Sequence, residues 1–126
     1  MRIIYNDYIP FKGYVAMNIF GVLFVRNDLK HRLKNTYTIN HESIHTAQYK
    51  ELLWVFFLPL YILEFIIKLF VCISWDKAYR SISLEQEAYY FEYDANYLSR
   101  RKPYQWVKYI FSTYNSNNKF WPKYGV

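Results

Sequence analysis

Along the first third of the chain, apolar and β-branched residues come in short runs broken by turn formers. Arg2 to Tyr5 is one such run, and Tyr8-Ile9-Pro10-Phe11-Lys12-Gly13 after it has turn chemistry. Tyr14 to Ile19 and Phe20 to Arg26 read as strands, with Gly21 marking a bulge or tight bend. Asn27-Asp28 is a turn signal, and Lys30-His31-Arg32-Leu33-Lys34 reads as an exposed basic loop. From Thr38 the spacing becomes helical. Thr38 is placed to cap a helix over Asn40 to Lys50, a stretch with no Gly or Pro. Leu52 to Ile73 is almost wholly apolar, interrupted by Pro59, Glu64 and Lys68. Ser83-Leu84-Glu85-Gln86 has the capping-box pattern and predicts a helix from Ser83 to about Leu98. Pro103 fits the first turn of a last helix, Tyr104 to about Tyr114, and Asn115 to Val126 reads as irregular. These elements predict an α+β fold, mostly α: a small N-terminal β-sheet, the helix after Thr38, and three or so further helices.

Length and composition narrow the picture. The 126 residues make one domain, 1–126, and a hydrophobic content of 53% excludes disorder as the main state. Aromatic residues reach 23%, and 16 Lys and Arg against 10 Asp and Glu give a formal charge of +6. Rings beside basic groups fit nucleic acid, an anionic membrane surface, or a core built from large side chains. The basic runs at Lys30–Lys34 and Arg100-Arg101-Lys102 belong to no RNA-binding pattern, so nucleic acid is not expected as a partner. A lone cysteine, Cys72, rules out both an intrachain disulfide and a Cys-rich zinc site. The N-terminus lacks the apolar run of a signal peptide, so a cytoplasmic setting is expected.

Residues 41–45, His-Glu-Ser-Ile-His, carry the chemistry. On a helix His41 and His45 lie one turn apart on one face, so both imidazoles can bind one Zn²⁺ at about 2.0–2.1 Å. Glu42 sits roughly 100° round the helix, off that line but within reach of a water on the ion. Such a pair needs a third ligand. Glu85 is the candidate and Glu87 its rival; two residues apart on a helix, they cannot both face one ion. Ala88, one turn after Glu85, favours Glu85, because a small side chain on that face lets two helices approach closely.

With His41-Glu42-Ser43-Ile44-His45 followed by Glu85-Gln86-Glu87-Ala88, the chain resembles the gluzincin metallopeptidases of the HtpX and CAAX prenyl protease type, and in size the minigluzincins. The resemblance rests on His41, Glu42, His45, Glu85 and Ala88. It implies a zinc-dependent peptidase in which His41, His45 and Glu85 bind the metal, Glu42 is the general base, and a peptide or protein is the substrate. The pattern departs at Tyr89, where the family has an Asp that supports a ligand; Glu92, on the same face as Glu85, is placed to substitute. The resemblance also implies an edge strand that pairs with extended substrate. Phe20 to Arg26 is the candidate, with an inner strand as the alternative reading. Tyr89, Tyr90, Tyr93, Arg80 and His31 have the chemistry to stabilise an oxyanion, though His31 reads more simply as a solvated loop residue.

Residues 52–73 are long enough to span a bilayer, but a single span would put His41 and His45 on one side and Glu85 on the other. Glu64 and Lys68 also resist insertion. The metal site therefore requires this segment to leave and return on one side, as two helices bent near Pro59. A buried core helix is the preferred reading. Peripheral membrane contact through 52–73 (Trp54, Phe56, Phe57, Phe65 and Phe70) is its alternative. The competing function is a non-catalytic membrane-surface or partner-binding module with an incidental or structural metal site. A tail plug at Phe120-Trp121-Pro122 is a further expectation.

Overall fold

The computed structural model describes residues 2–9, 16–28 and 36–121. The expected basic loop with His31, the turn and strand residues 10–15, and Pro122 lie outside them. Three strands form the N-terminal sheet: β1 (Arg2–Asn6), β2 (Ala16–Ile19) and β3 (Val22–Arg26). Their order is β1-β3-β2, with β1 parallel and β2 antiparallel to β3. Ile19 pairs with Val22 across a two-residue turn in which Phe20 and Gly21 both have positive φ. That is the left-handed turn whose twist suits a hairpin, and Gly21 is needed there twice over. A Cβ on it would come within 2.8 Å of the Trp54 ring. The strand expected at Phe20 to Arg26 is thus the central one, and β2 is the edge that packs on the first helix.

Helices make up most of the rest: α1 (Thr36–Glu51), α2 (Phe57–Cys72), α3 (Trp75–Ser81), α4 (Ser83–Phe91) and the short α5 (Tyr97–Arg100). The fold is α+β and mostly helical, as the sequence pattern predicts. α1 begins ahead of the expected Thr38 cap. The bend expected near Pro59 falls earlier, at Leu53 and Trp54, which take left-handed backbone angles. Pro59 sits instead in the first turn of α2, where its missing N–H costs no helical bond.

Both ends of α4 are set from outside it. Ser83 is not an N-cap with Gln86 reaching back to it. The Glu64 carboxylate, projecting from α2, accepts from the Ser83 N–H and the Ser83 hydroxyl, each at 2.7 Å. At the other end the Asn40 amide, from α1, donates toward the carbonyls of Phe91, Glu92 and Asp94. It stands in for the N–H groups of a further turn, so the helix expected to reach Leu98 stops at Phe91. The expected helix over Tyr104 to Tyr114 is a short 3₁₀ turn, Gln105–Tyr109. Tyr104 takes a left-handed backbone angle, and side chains from other elements fix both ends of the segment: Glu51 accepts from Tyr104 N–H, and Lys68 and Gln86 donate to the Ser112 carbonyl. The core lies where α1, α2 and α4 meet, around Tyr49, Phe57, Ile82, Leu84 and Trp106.

Candidate metal centre

α1 and α4 pack face to face, and Ala88 is fully buried beside Ile44 at their contact. That close approach brings the ligand atoms of His41, His45 and Glu85 within 4.8 Å of one another. The Nε2 atoms of His41 and His45 lie 3.1 and 3.0 Å from the same oxygen, Oε1 of Glu85. Each imidazole is held from behind. Nδ1 of His41 donates to Glu92 at 2.9 Å, and Nδ1 of His45 donates to Gln48 at 2.8 Å. With a proton held on each Nδ1, loss of the Nε2 protons would leave both lone pairs aimed at one point.

Glu92 thus does for His41 what the resemblance assigns to the residue at Tyr89. Tyr89 itself packs edge-on against the His41 ring, 4.6 Å between centroids. Glu87, the rival ligand, faces away: it accepts from Gln48, from the Tyr97 hydroxyl and from Arg101. The sequence reading missed Gln48 and Tyr61. Gln48 lies three residues after His45 on a helix face that the motif already marks as inward, so its position was a usable signal. Tyr61 gave no local signal. Its hydroxyl donates to Glu85 Oε2 at 2.6 Å from α2, a purely tertiary contact.

The cluster is buried and its charges are coupled. Burial alone would lower the His41 pKa, but hydrogen bonds to Glu85 and Glu92 outweigh it and carry the value up to about 10. His45 is raised in the same way: burial opposes protonation, and the charge of Glu85 and the bond to it prevail. Burial would raise Glu85, yet the His45 charge and the bond from His41 hold it well below the usual carboxylate range. Burial pushes Glu42 up. Glu42 Oε2 is buried without a hydrogen-bond partner among the described residues.

These observations test whether a metal fits. Two imidazole nitrogens and a carboxylate oxygen converge, each imidazole has its rear support, and a neighbouring carboxylate oxygen is buried with no partner among the described residues. The donor set of two His and one Glu is that of catalytic zinc sites, which leave a position open for water. The residues fit the ion.

Of the other residues with oxyanion chemistry, Arg80 lies over the Tyr89 ring and pairs with Asp76. Tyr90 donates to Gln86, and Tyr93 stacks on Trp121. Tyr61 is the hydroxyl that reaches the cluster. The tail does not sit as the expected plug: the Phe120 N–H donates to the Tyr90 carbonyl and Trp121 lies on Tyr93, along α4 on the Glu92 side. Compared with family models, curated proteins and solved structures, the chain matches none.

Proposed function

We propose that this chain is a zinc-dependent peptidase of gluzincin type, with His41, His45 and Glu85 as metal ligands and Glu42 as general base. The observation that carries the reading is the convergence of both Nε2 atoms on Glu85 beside the unpartnered Glu42 oxygen. A zinc ion bound there supplies polarisation of the scissile carbonyl and acidifies water. Glu42 accepts the proton of the attacking water and passes it to the leaving amine; burial, by raising its pKa, brings it nearer the working pH of such a base. Gln48 and Glu92 hold the imidazoles in the tautomer the ion needs, and Tyr61 fixes the Glu85 carboxylate from α2. β2, an edge of the described sheet against α1, is the strand on which extended peptide would pair.

Metal content and peptide cleavage test this together. The purified protein is expected to hold one zinc per chain, lost in Glu85→Ala. Glu42→Gln is expected to keep zinc while hydrolysis of an unstructured protein substrate falls about 10²–10⁴-fold. Full activity in Glu42→Gln sinks the general base. Zinc retained in Glu85→Ala but lost in Glu87→Ala sinks the ligand set.

A further inference from the structure

The polar side chains of α2 all turn inward. Tyr61 and Glu64 serve the metal cluster and the start of α4, Lys68 donates to the Ser112 carbonyl, and Cys72 lies against Ser81. What faces outward is a stripe of Ile62, Leu63, Ile66, Ile67, Phe70 and Val71, each between 50% and 82% exposed. From Ile62 to Val71 the stripe has no hydrogen-bonding side chain, a length of about 15 Å at 1.5 Å per residue. It runs on through Val55 and Phe56 at one end and Ile73 and Trp75 at the other, all more than half exposed. The two charges that argue against lipid contact in the sequence are therefore both on the protein side of the helix.

We infer that the outward face of α2 lies in the headgroup–acyl boundary of an anionic lipid bilayer, with the helix axis in the membrane plane. Two observations select lipid over a protein partner. The stripe offers no hydrogen-bonding side chain, and hydrocarbon asks for none. The charge of the outer surface also fits. Of the ten acidic residues, only Asp7, Asp28 and Asp76 are exposed, the others being turned into the fold. Among the described residues Lys50, Lys77, Arg100, Lys102 and Lys108 are exposed, so basic side chains outnumber acidic ones on that surface. A second copy would bring like charge against like, while acidic headgroups neutralise it. Trp75, ahead of Lys77 and 65% exposed, has the amphipathic ring that favours this depth. No helix among the described residues is long and apolar enough to cross a membrane, and an in-plane contact needs none.

The test is flotation of the full chain with vesicles of phosphatidylcholine and phosphatidylserine in equal parts, against pure phosphatidylcholine, at low salt. The wild type is expected to float with the mixed vesicles and less with the neutral ones. Ile67→Glu/Phe70→Glu is expected to weaken binding about tenfold or more while keeping its helical signal and zinc content. Those two side chains touch no member of the metal cluster, so failure here leaves the peptidase reading intact, and the converse holds. The inference is overturned if the wild type stays with the unbound fraction, or if the double variant floats equally well. Equal binding to neutral vesicles removes the anionic requirement. A wild-type dimer that the double variant converts to monomer, with no vesicle binding, makes the occupant a second copy.

Discussion

Between α1 and α4 many of the side chains turned inward are polar or charged; along the outer face of α2 the side chains turned outward are apolar. Each region inverts the ordinary distribution of residues, and the difference lies in how the inversion is offset. Inside, the charges come with partners. Glu85 meets two imidazoles and Tyr61, Glu87 meets Arg101 and Tyr97, and Glu64 meets Ser83. The exception among the described residues is the Glu42 oxygen, where the proposed mechanism calls for the attacking water. Outside, the stripe on α2 has no such offset within the described chain. The first inversion is satisfied within the fold and the second asks for something beyond it.

The sharpest way to break the inner arrangement is Arg101→Ala. The guanidinium is buried between Glu51 and Glu87, with Nη2 2.8 Å from the first and Nε 2.5 Å from the second. Its removal leaves two carboxylates without their cation, and loss of one partner of a buried pair costs about 3–5 kcal/mol. Urea unfolding of the metal-free protein checks this. A loss under about 1 kcal/mol would show the pair behaving as a solvated surface contact and would undo the distinction drawn between the regions. Because Glu87 also accepts from Gln48, which accepts from His45, the same variant is expected to weaken metal binding.

Next comes Glu92→Gln. The amide still accepts from His41 Nδ1 but carries no charge, and zinc affinity is expected to fall about 10–100-fold by competition with a chelator. Lys119, which donates to the other Glu92 oxygen at 2.5 Å, does not touch the imidazole. Lys119→Ala should therefore cost less. If the two variants lose equally, Glu92 acts through the tail and not through His41.

Acidity separates the regions in another way. His41 has its pKa raised from 6.5 to about 10 in the metal-free chain. A raised pKa means that protonation stabilises the folded form below about 6.5, and that this contribution is lost as pH climbs toward about 10. A metal needs the same nitrogen without its proton. Zinc affinity is thus expected to rise with pH over that window, by about tenfold per unit for each proton released. Titration calorimetry in buffers of different ionisation enthalpy counts those protons; none released at pH 7 would contradict the protonated cluster. Vesicle binding by α2 should show no such steepening, since no ionisable group lies on its outward stripe.

The sequence made the inner region legible because its chemistry is local. His41, Glu42 and His45 sit on one helical turn, and Ala88 one turn after Glu85 marks the helix contact that brings the third ligand in. What it hid was tertiary. The cap of α4 comes from Glu64, 19 residues away, and its stop comes from Asn40, so neither end follows from its own residues. The inward turn of Glu64 and Lys68 was hidden for the same reason. Read along the chain they interrupt an apolar run; in three dimensions they are the inner face, and the buried core helix expected there is half-exposed. The aromatic rings divide in the same way: Phe56, Phe70, Trp75 and Phe111 are outside, while Tyr49, Phe57 and Tyr90 are inside.

The smallest expected effect completes the comparison. Ile66→Gln and Val71→Thr replace exposed apolar groups on a helix face that touches nothing named in the core. Each should change unfolding free energy by no more than about 0.5 kcal/mol. Gln is at least as good a helix former as Ile, so even the sign at residue 66 is open to stabilisation. Phe57→Ala, on the inner side of the same helix and stacked 3.8 Å from the Tyr49 ring, should cost about 3–5 kcal/mol. The contrast within one helix is the measurement that matters. A loss of about 2 kcal/mol at Ile66 would mean that the stripe is covered when the chain folds, since that is the value of burying such a side chain. It would then be core after all, and no lipid surface would be needed to explain it.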